Sequence, residues 1–332
     1  MDFRLTEEQR ELAQLARRVA EGTADGPTDA TAPEIDWTPL ANTGLMGLLI
    51  GEADGGSGAT LVEAAILAEE LGRAGAPAAV VGSALIAAAA LDLVPSPELR
   101  HELRQALAAG RPMSVMVGDD LAWPPVNQPV AWGWHVGCLA LAPVEDGLGL
   151  VEIAGAEVRP TQDLGLFVAR STTNTAATAI EATESGQRFL AATNVILSSL
   201  LVGVMGRALD LAVEHAKNRE QFGVKIGTFQ AIKHLCADMF VDVESSRSAA
   251  YGAAAIVATD SDLGRAIHSA AVAKAWCGDA AVRVCEGSVQ VHGGMGFTWE
   301  CDVHRYLRTA LVARASFMSS DRAVDVVAGR AA

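Results

Sequence analysis

The apolar positions of the chain follow helical periods at both ends and short, interrupted runs in the middle. Thr6 and Gln9 make a capping-box pattern ahead of Leu12, Leu15, Ala16 and Val19, which recur on one helical face. Thr60 and Glu63 repeat the pattern and open a second helix through Leu67 and Leu71, loosened at Gly72 and Gly75. Ser96 and Pro97 suit the N-cap and first turn of a third, ending near Gly110. From Met113 to about Gly186, prolines, tryptophans and glycines break up runs of strand length such as Val136 to Leu141 and Leu148 to Ile153. Helical periodicity then returns in long segments, Phe189 to Lys217, Thr228 to Thr259 and Leu263 to His292. A glycine turn at Gly293, Gly294 and Gly296 leads into a last helix beginning near Asp302. Short polar joints between the long segments predict antiparallel neighbours in a bundle. The predicted fold class is mostly α with a small β insert. Its parts are an N-terminal helical domain (1–112), a shortened β domain (113–187) and a C-terminal four-helix bundle (188–332).

Composition sharpens this picture. Of 332 residues, 50% are hydrophobic but only 5% aromatic, and alanine, the best helix former, is abundant, which favours closely packed helices. The formal charge of -15 argues against nucleic acid or an anionic membrane as partner, while leaving room for an anionic cofactor at a local cation. The five cysteines (Cys138, Cys236, Cys277, Cys285, Cys301) form no C-x-x-C pair, which suits reduced thiols in a cytoplasmic protein. Cys285 and His292 find no second pair of zinc ligands, so no metal site is expected. The start MDFRLTEEQRE carries acids and no apolar core, so no export peptide is expected. The run Ala76 to Val94 is long enough to raise a membrane span, but its alanines, Pro77 and lack of basic flanks predict a buried core helix.

Four stretches, in order, resemble the acyl-CoA dehydrogenase family over nearly the whole chain. They are LTEEQRELAQLAR (Leu5 to Arg17), GLMGLLIGEADGGSGATLVEAAILAEELGRAGAP (Gly44 to Pro77), NREQFGVKIGTFQAIKHLCADM (Asn218 to Met239) and QVHGGMGFTWECDVHRYLR (Gln290 to Arg308). The chemistry of the last two agrees with flavin binding. Arg219 offers a pyrophosphate two parallel charge-assisted hydrogen bonds. Phe222 offers an apolar face, and Gln230 and Gln290 are amides that donate and accept. Gly293 and Gly294 let backbone N–H groups approach a ligand where a Cβ would clash. Taken singly, Arg219 reads as a solvated helix end and the glycines as a plain turn. The resemblance implies more: FAD as cofactor, with these positions gripping the adenosine-pyrophosphate half of the FAD seated in a neighbouring subunit.

The resemblance also implies a glutamate that removes the α-proton of an acyl-CoA thioester, and here the chain departs from the family. Aligning from Arg305-Tyr306-Leu307-Arg308 puts Phe317-Met318-Ser319 at one usual place for that base. Phenylalanine has no lone pair to accept a proton, and Thr309 stands where the family usually has aspartate. Anchoring on GVMGRALD (Gly203 to Asp210) puts Thr193 and Asn194 at the alternative place, and neither is a base for such a proton. Glu181 and Glu184 lie upstream, with nothing in the sequence to set them at a site. In the insert, MSVMVGDDLAWPP (Met113 to Pro125) stands for the family's Thr/Ser-Glu-x-x-x-Gly-Ser-Asp-like stretch. WGWHVG (Trp132 to Gly137) is the nearest match to its tryptophan strand, and no lysine occurs between Met113 and Gln187. What the chain would give to a neighbour's cofactor is present; what its own catalysis would need is missing. It thus resembles the short, non-catalytic subunits of α2β2 actinobacterial steroid-degrading acyl-CoA dehydrogenases. That implies a larger homologous partner subunit carrying the catalytic glutamate. An acyl-CoA, a steroid side-chain thioester among the options, would be dehydrogenated between its α and β carbons, with electrons leaving to an electron-transfer flavoprotein. Two alternatives stay open: a homo-oligomeric dehydrogenase or oxidase with a relocated base, and a flavin-free scaffold or regulatory pseudoenzyme.

Overall fold

The computed structural model of the chain describes residues 5–23, 35–125, 129–144, 147–151, 153, 157–163, 165–170 and 183–330. Helix α1 (Glu7–Thr23) opens on a reciprocal cap, Thr6 N–H donating to Gln9 Oε1 (3.0 Å) and Gln9 N–H to Thr6 Oγ1 (3.2 Å). After the short α2 (Thr38–Asn42), α3 (Leu61–Ala74) starts on the Thr60–Glu63 capping box and stops where Gly75 takes φ 69°. The apolar run after Pro77 folds as one irregular helix: α4 (Ala78–Val81), a π-helical stretch (Gly82–Ala87) and α5 (Ala88–Ala90). It is buried, as the sequence predicts, and Ser83 Oγ ties it to the first strand by donating to Met113 O (2.8 Å). Helix α6 (Pro97–Ala108) is capped by Ser96, whose Oγ accepts from Leu99 N–H (3.2 Å).

The strands that follow are β1 (Met113–Val117), β2 (Val130–Trp132), β3 (Leu139–Val144), β4 (Gly147–Val151), β5 (Glu157–Pro160) and β6 (Phe167–Arg170). They form one sheet in the order β4-β3-β1-β2-β6-β5, parallel only between β1 and β3. The strand expected from Val136 begins instead at Leu139. Residues before it make a turn closed by Cys138 N–H donating to His135 O (3.3 Å), which leaves Val136 74% exposed. An apolar residue on a turn extends the apparent strand, because periodicity does not register chain reversal.

Helices α7 (Glu184–Asn218), α8 (Gln230–Thr259) and α9 (Leu263–His292) pack side by side, and α10 (Val303–Ala315) and α11 (Ser320–Val327) lie against α9. A small hairpin, β7 (Glu220–Gln221) and β8 (Val224–Lys225), joins α7 to α8. Helix α7 begins earlier than its periodicity suggests, because Thr183 Oγ1 caps it by accepting from Gly186 N–H (3.0 Å). It is long and apolar enough to cross a membrane by composition, but 94% of its most apolar stretch is buried inside the fold. Helix α3 crosses α7 at backbone contact: a Cβ on Gly203 would lie 2.6 Å from Arg73 N, and one on Gly72 would fall on Leu200 O. The architecture is the predicted one: helices first, a small sheet in the middle, a helical bundle last.

Candidate functional site

The places where a proton-abstracting base is expected come together in space. Phe317 closes the corner between α10 and α11, fully buried at φ 62°. That conformation costs a bulky L-residue roughly 1–3 kcal/mol, and the packing holds it. Its ring meets Trp132 and Phe189 at centroid distances of 5.7 and 6.2 Å, and Trp123 meets Phe189 at 4.9 Å. Its backbone is bound on both sides, Phe317 N–H donating to Leu121 O (2.7 Å) and Trp123 N–H to Phe317 O (3.0 Å). Trp132, the first residue of WGWHVG, points into this cluster and donates its indole N–H to Ser316 Oγ (3.1 Å).

Thr193 and Asn194 arrive from α7, both buried, and the Asn194 side-chain N–H donates to the Met318 sulfur at 3.5 Å. Two stretches 124 residues apart thus meet at one spot. Thr193 Oγ1 and Asn194 Oδ1 have no hydrogen-bond partner among the described residues, so the spot carries polar atoms but no carboxylate from these positions. A void beside Trp132, Leu200, Val312 and Asp163 is about 10 Å³, room for one water at most. Glu184 is engaged elsewhere, paired with Arg188 at 3.0 Å on the first turn of α7; Glu181 lies outside the described residues.

The other predicted residues gather at one end of the bundle. Phe222 and Gly223, between β7 and β8, both take positive φ, 53° and 78°. That is the pattern of a two-residue type I′ hairpin turn, which favours Asn-Gly or Asp-Gly; a bulky aromatic there is an outlier. Phe222 nevertheless stands 93% exposed, its ring 6.3 Å from that of Phe229. Arg219, just past the end of α7, is exposed, and the adjacent Glu220 pairs with Lys225 (2.7 Å), leaving Arg219 without a carboxylate among the described residues. His215 of α7 and His292 of α9 stack at 4.4 Å. Burial, then the charges of His292 and Arg219, lower the pKa of His215. The ring stack sets the ends of α7 and α9 side by side, with Arg219 capping the first and Gly293 (φ 61°) capping the second. Gln230 opens α8, Gln290 lies on the last turn of α9, and both are exposed. A Cβ on Gly293 or Gly294 would meet nothing within 4 Å, so a ligand has open access to that backbone. Gln290 and Gly293 border a cleft of about 360 Å³ with Phe297.

The two regions differ in what they accommodate. An unneutralised guanidinium, two free amides and an accessible glycine turn suit an adenosine pyrophosphate. Around Phe317 the rings of Trp132, Phe189 and Trp123 occupy the interior, and the void beside Trp132 is too small for a flavin ring or a thioester. Sequence reasoning missed Phe297 and Trp299, which extend the exposed surface at 74% and 63% exposure. Both sit in the quoted GGMGFTWE stretch, but an aromatic in a loop gives no periodic signal of which way it faces.

The family model described as Acyl-CoA dehydrogenase, N-terminal domain, matches residues 6–111, and that described as Acyl-CoA dehydrogenase, C-terminal domain, matches residues 183–331. Acyl-CoA dehydrogenase FadE34 of Mycobacterium tuberculosis is 35% identical over 302 residues, which cover 87% of this chain but only 40% of that protein. Acyl-CoA dehydrogenase IpdE2 of Mycolicibacterium smegmatis is 31% identical over 275 residues, covering 82% of this chain and 80% of the relative. Among solved structures, the ChsE4-ChsE5 complex from Mycobacterium tuberculosis is similar with a TM-score of 0.81 at 25% identity, over 99% of this chain and 98% of that one. The Tcur3481-Tcur3483 steroid ACAD is similar with a TM-score of 0.78 at 25% identity, over 98% and 97% of the two chains.

Proposed function

The chain belongs to the acyl-CoA dehydrogenase family, and from that premise we propose that it is the non-catalytic subunit of a heteromeric acyl-CoA dehydrogenase. FAD, the family's cofactor, accepts the hydride leaving the β-carbon of an acyl-CoA when bound. This chain's part is binding and orientation. Arg219 would hold the pyrophosphate with its planar fork, and Gln230 and Gln290 would hydrogen-bond the adenosine side. Gly293, whose own N–H is taken by Gln290 O and Val289 O, keeps the turn free of a Cβ so that the dinucleotide can approach the backbone at Gly294. The Phe222 ring shields that end from water. The flavin ring and the glutamate that takes the α-proton belong to a larger homologous partner, and electrons pass on to an electron-transfer flavoprotein. We assign residues 1–112, 113–187 and 188–332 to the N-terminal, β and C-terminal domains of the subunit.

The observation that carries this reading is a contrast between two regions of one chain. The Phe317–Thr193–Asn194 region is buried and offers no base from those positions, while the Arg219–Gly293 end is exposed and its cation meets no carboxylate among the described residues. The likeness to the ChsE4-ChsE5 complex supports pairing with an unlike subunit. The likeness to the Tcur3481-Tcur3483 steroid ACAD supports a steroid thioester as the substrate.

Production of the chain with a larger homologue carrying the glutamate, followed by flavin counting, tests the reading. One FAD per pair of unlike chains is expected, with a marked loss of flavin in Arg219→Ala and a colourless, inactive chain when it is made alone. A yellow chain that oxidises an acyl-CoA unaided would overturn the proposal in favour of a relocated base. Full FAD occupancy in Arg219→Ala would instead favour a scaffold.

A further inference from the structure

A second concavity, of about 550 Å³, lies beside the small void near Trp132, where α1, the end of α3, the loop before β6, α7 and the start of α10 meet. Four guanidinium groups from four helices line it: Arg17 of α1, Arg73 of α3, Arg207 of α7 and Arg305 of α10. Arginine keeps its charge at any pH the protein meets, so four of them around one hollow repel each other unless each is answered by an anion.

The answers within the chain are unequal. Arg17 makes a two-pronged bond to Glu70, at 2.9 Å on each arm, and is neutralised. Arg73 pairs with Asp210, which does not line the hollow. Arg305 has one contact of 3.3 Å with Asp302, whose side chain is 64% exposed; such a pair contributes little. Arg207 lines the hollow beside Tyr306, whose hydroxyl donates to Arg73 O (3.3 Å), and pairs with no carboxylate among the described residues. Asp163, at the buried side, already accepts from Gly165 N–H (2.9 Å), and burial raises its pKa toward the neutral form. Glu21 also lines the hollow, on the Arg17 side. At the inner wall Arg207 is the cation that no carboxylate answers among the described residues, and it stands there with Arg305 and Tyr306.

We propose that this hollow binds a small organic oxyanion, a carboxylate or phosphate gripped between the guanidinium forks of Arg207 and Arg305 with the Tyr306 hydroxyl beside them. Two forks present paired N–H donors in the geometry that both anions accept. The volume exceeds what an inorganic anion fills and lies in the range of small-molecule pockets, so the anion carries an organic body. The charged lining selects a polar body over an acyl chain. The site uses none of the residues assigned to FAD, and it stands or falls apart from that reading.

Calorimetric titration of the full-length chain at low salt, with inorganic phosphate, glycerol 3-phosphate and succinate in turn, tests the inference and separates the two anion chemistries. Saturable one-site binding of an organic anion is expected, weakening with added chloride and by about tenfold or more in Arg207→Gln. Arg305→Gln should weaken it similarly, and it carries the comparison if Arg207→Gln does not fold. Absence of saturable binding by all three anions at millimolar concentration would overturn the proposal. So would binding that survives both substitutions, or binding by inorganic phosphate alone.

Discussion

Among single residues, Lys274 is a cation held without water. It is fully buried on α9, and its ammonium donates to Ala313 O at the end of α10. Burial, the dominant cause, lowers its pKa from 10.5 to about 7, with Arg314 pushing the same way and Cys277 opposing. Between pH 7 and 10.5 the unfolded chain keeps a proton that the folded chain gives up, so stability rises with pH across that window. The full penalty is present below pH 7. Lys274→Met removes the penalty together with one hydrogen bond. Urea unfolding should find the variant more stable than the native chain near pH 6, with the gain shrinking by pH 10. An equal difference at both pH values would show that Lys274 is not the titrating group. Phe317 gives the complementary case. Phe317→Ala should cost about 3–5 kcal/mol, because its ring fills a closed aromatic cluster. Phe317→Glu should be at least as damaging in a thermal melt and gain no acyl-CoA oxidation, since an unpaired carboxylate there is buried without a substrate beside it. That Phe317 is no base was legible in one aligned motif. That it anchors a cluster with Trp132 and Phe189 was not, because those rings lie far apart in the chain.

At the scale of elements, what was legible is what local chemistry decides. The capping boxes at Thr6 and Thr60 and the Ser96–Pro97 start form as read, because a cap depends on residues three apart. The start of β3 was misplaced and the last helix turned out to be two. Each depends on a turn whose reason lies elsewhere in the fold: the corner dividing α10 from α11 is fixed by bonds to the loop after β1. Glycine shows the same divide. GVMGRALD was useful as an alignment anchor, but only the fold shows that Gly203 lets α3 touch α7. A Cβ there would fall on Glu69 O and lie 2.6 Å from Arg73 N, backbone atoms that cannot yield unless the helices part. Gly203→Ala is therefore expected to destabilise by several kcal/mol, roughly the upper range for overpacking. Gly22→Ala in α1, with nothing within 4 Å of its new methyl, should be neutral or stabilising by about 0.5–1 kcal/mol. Denaturant midpoints of the two variants check this; similar losses in both would mean that helix propensity, not the crossing, governs the outcome.

At the scale of the whole molecule, the chain keeps its cost and its exposure in the same place. Phe222 occupies a left-handed turn position that asparagine fills with less strain, and it holds a large apolar ring in water, with Phe297 and Trp299 exposed at the same glycine turn of α9. A surface selected for the lone chain would have neither property. Both make sense if the ring is covered when the proposed partner and its FAD are in place, and a substitution separates the two contributions. Phe222→Asn suits a type I′ turn better than the native residue, so the melting temperature of the chain alone should stay level or rise. In the co-purified complex the same change should lower FAD occupancy and loosen the partner, because the apolar cover over the dinucleotide end is gone. Calorimetry on the single chain and flavin absorbance on the complex give the two readings. A fall in the first would mark Phe222 as a folding residue, and an unchanged second would leave its exposure without a role in assembly. Opposite movement of the two is the result that a subunit built to complete its neighbour should give.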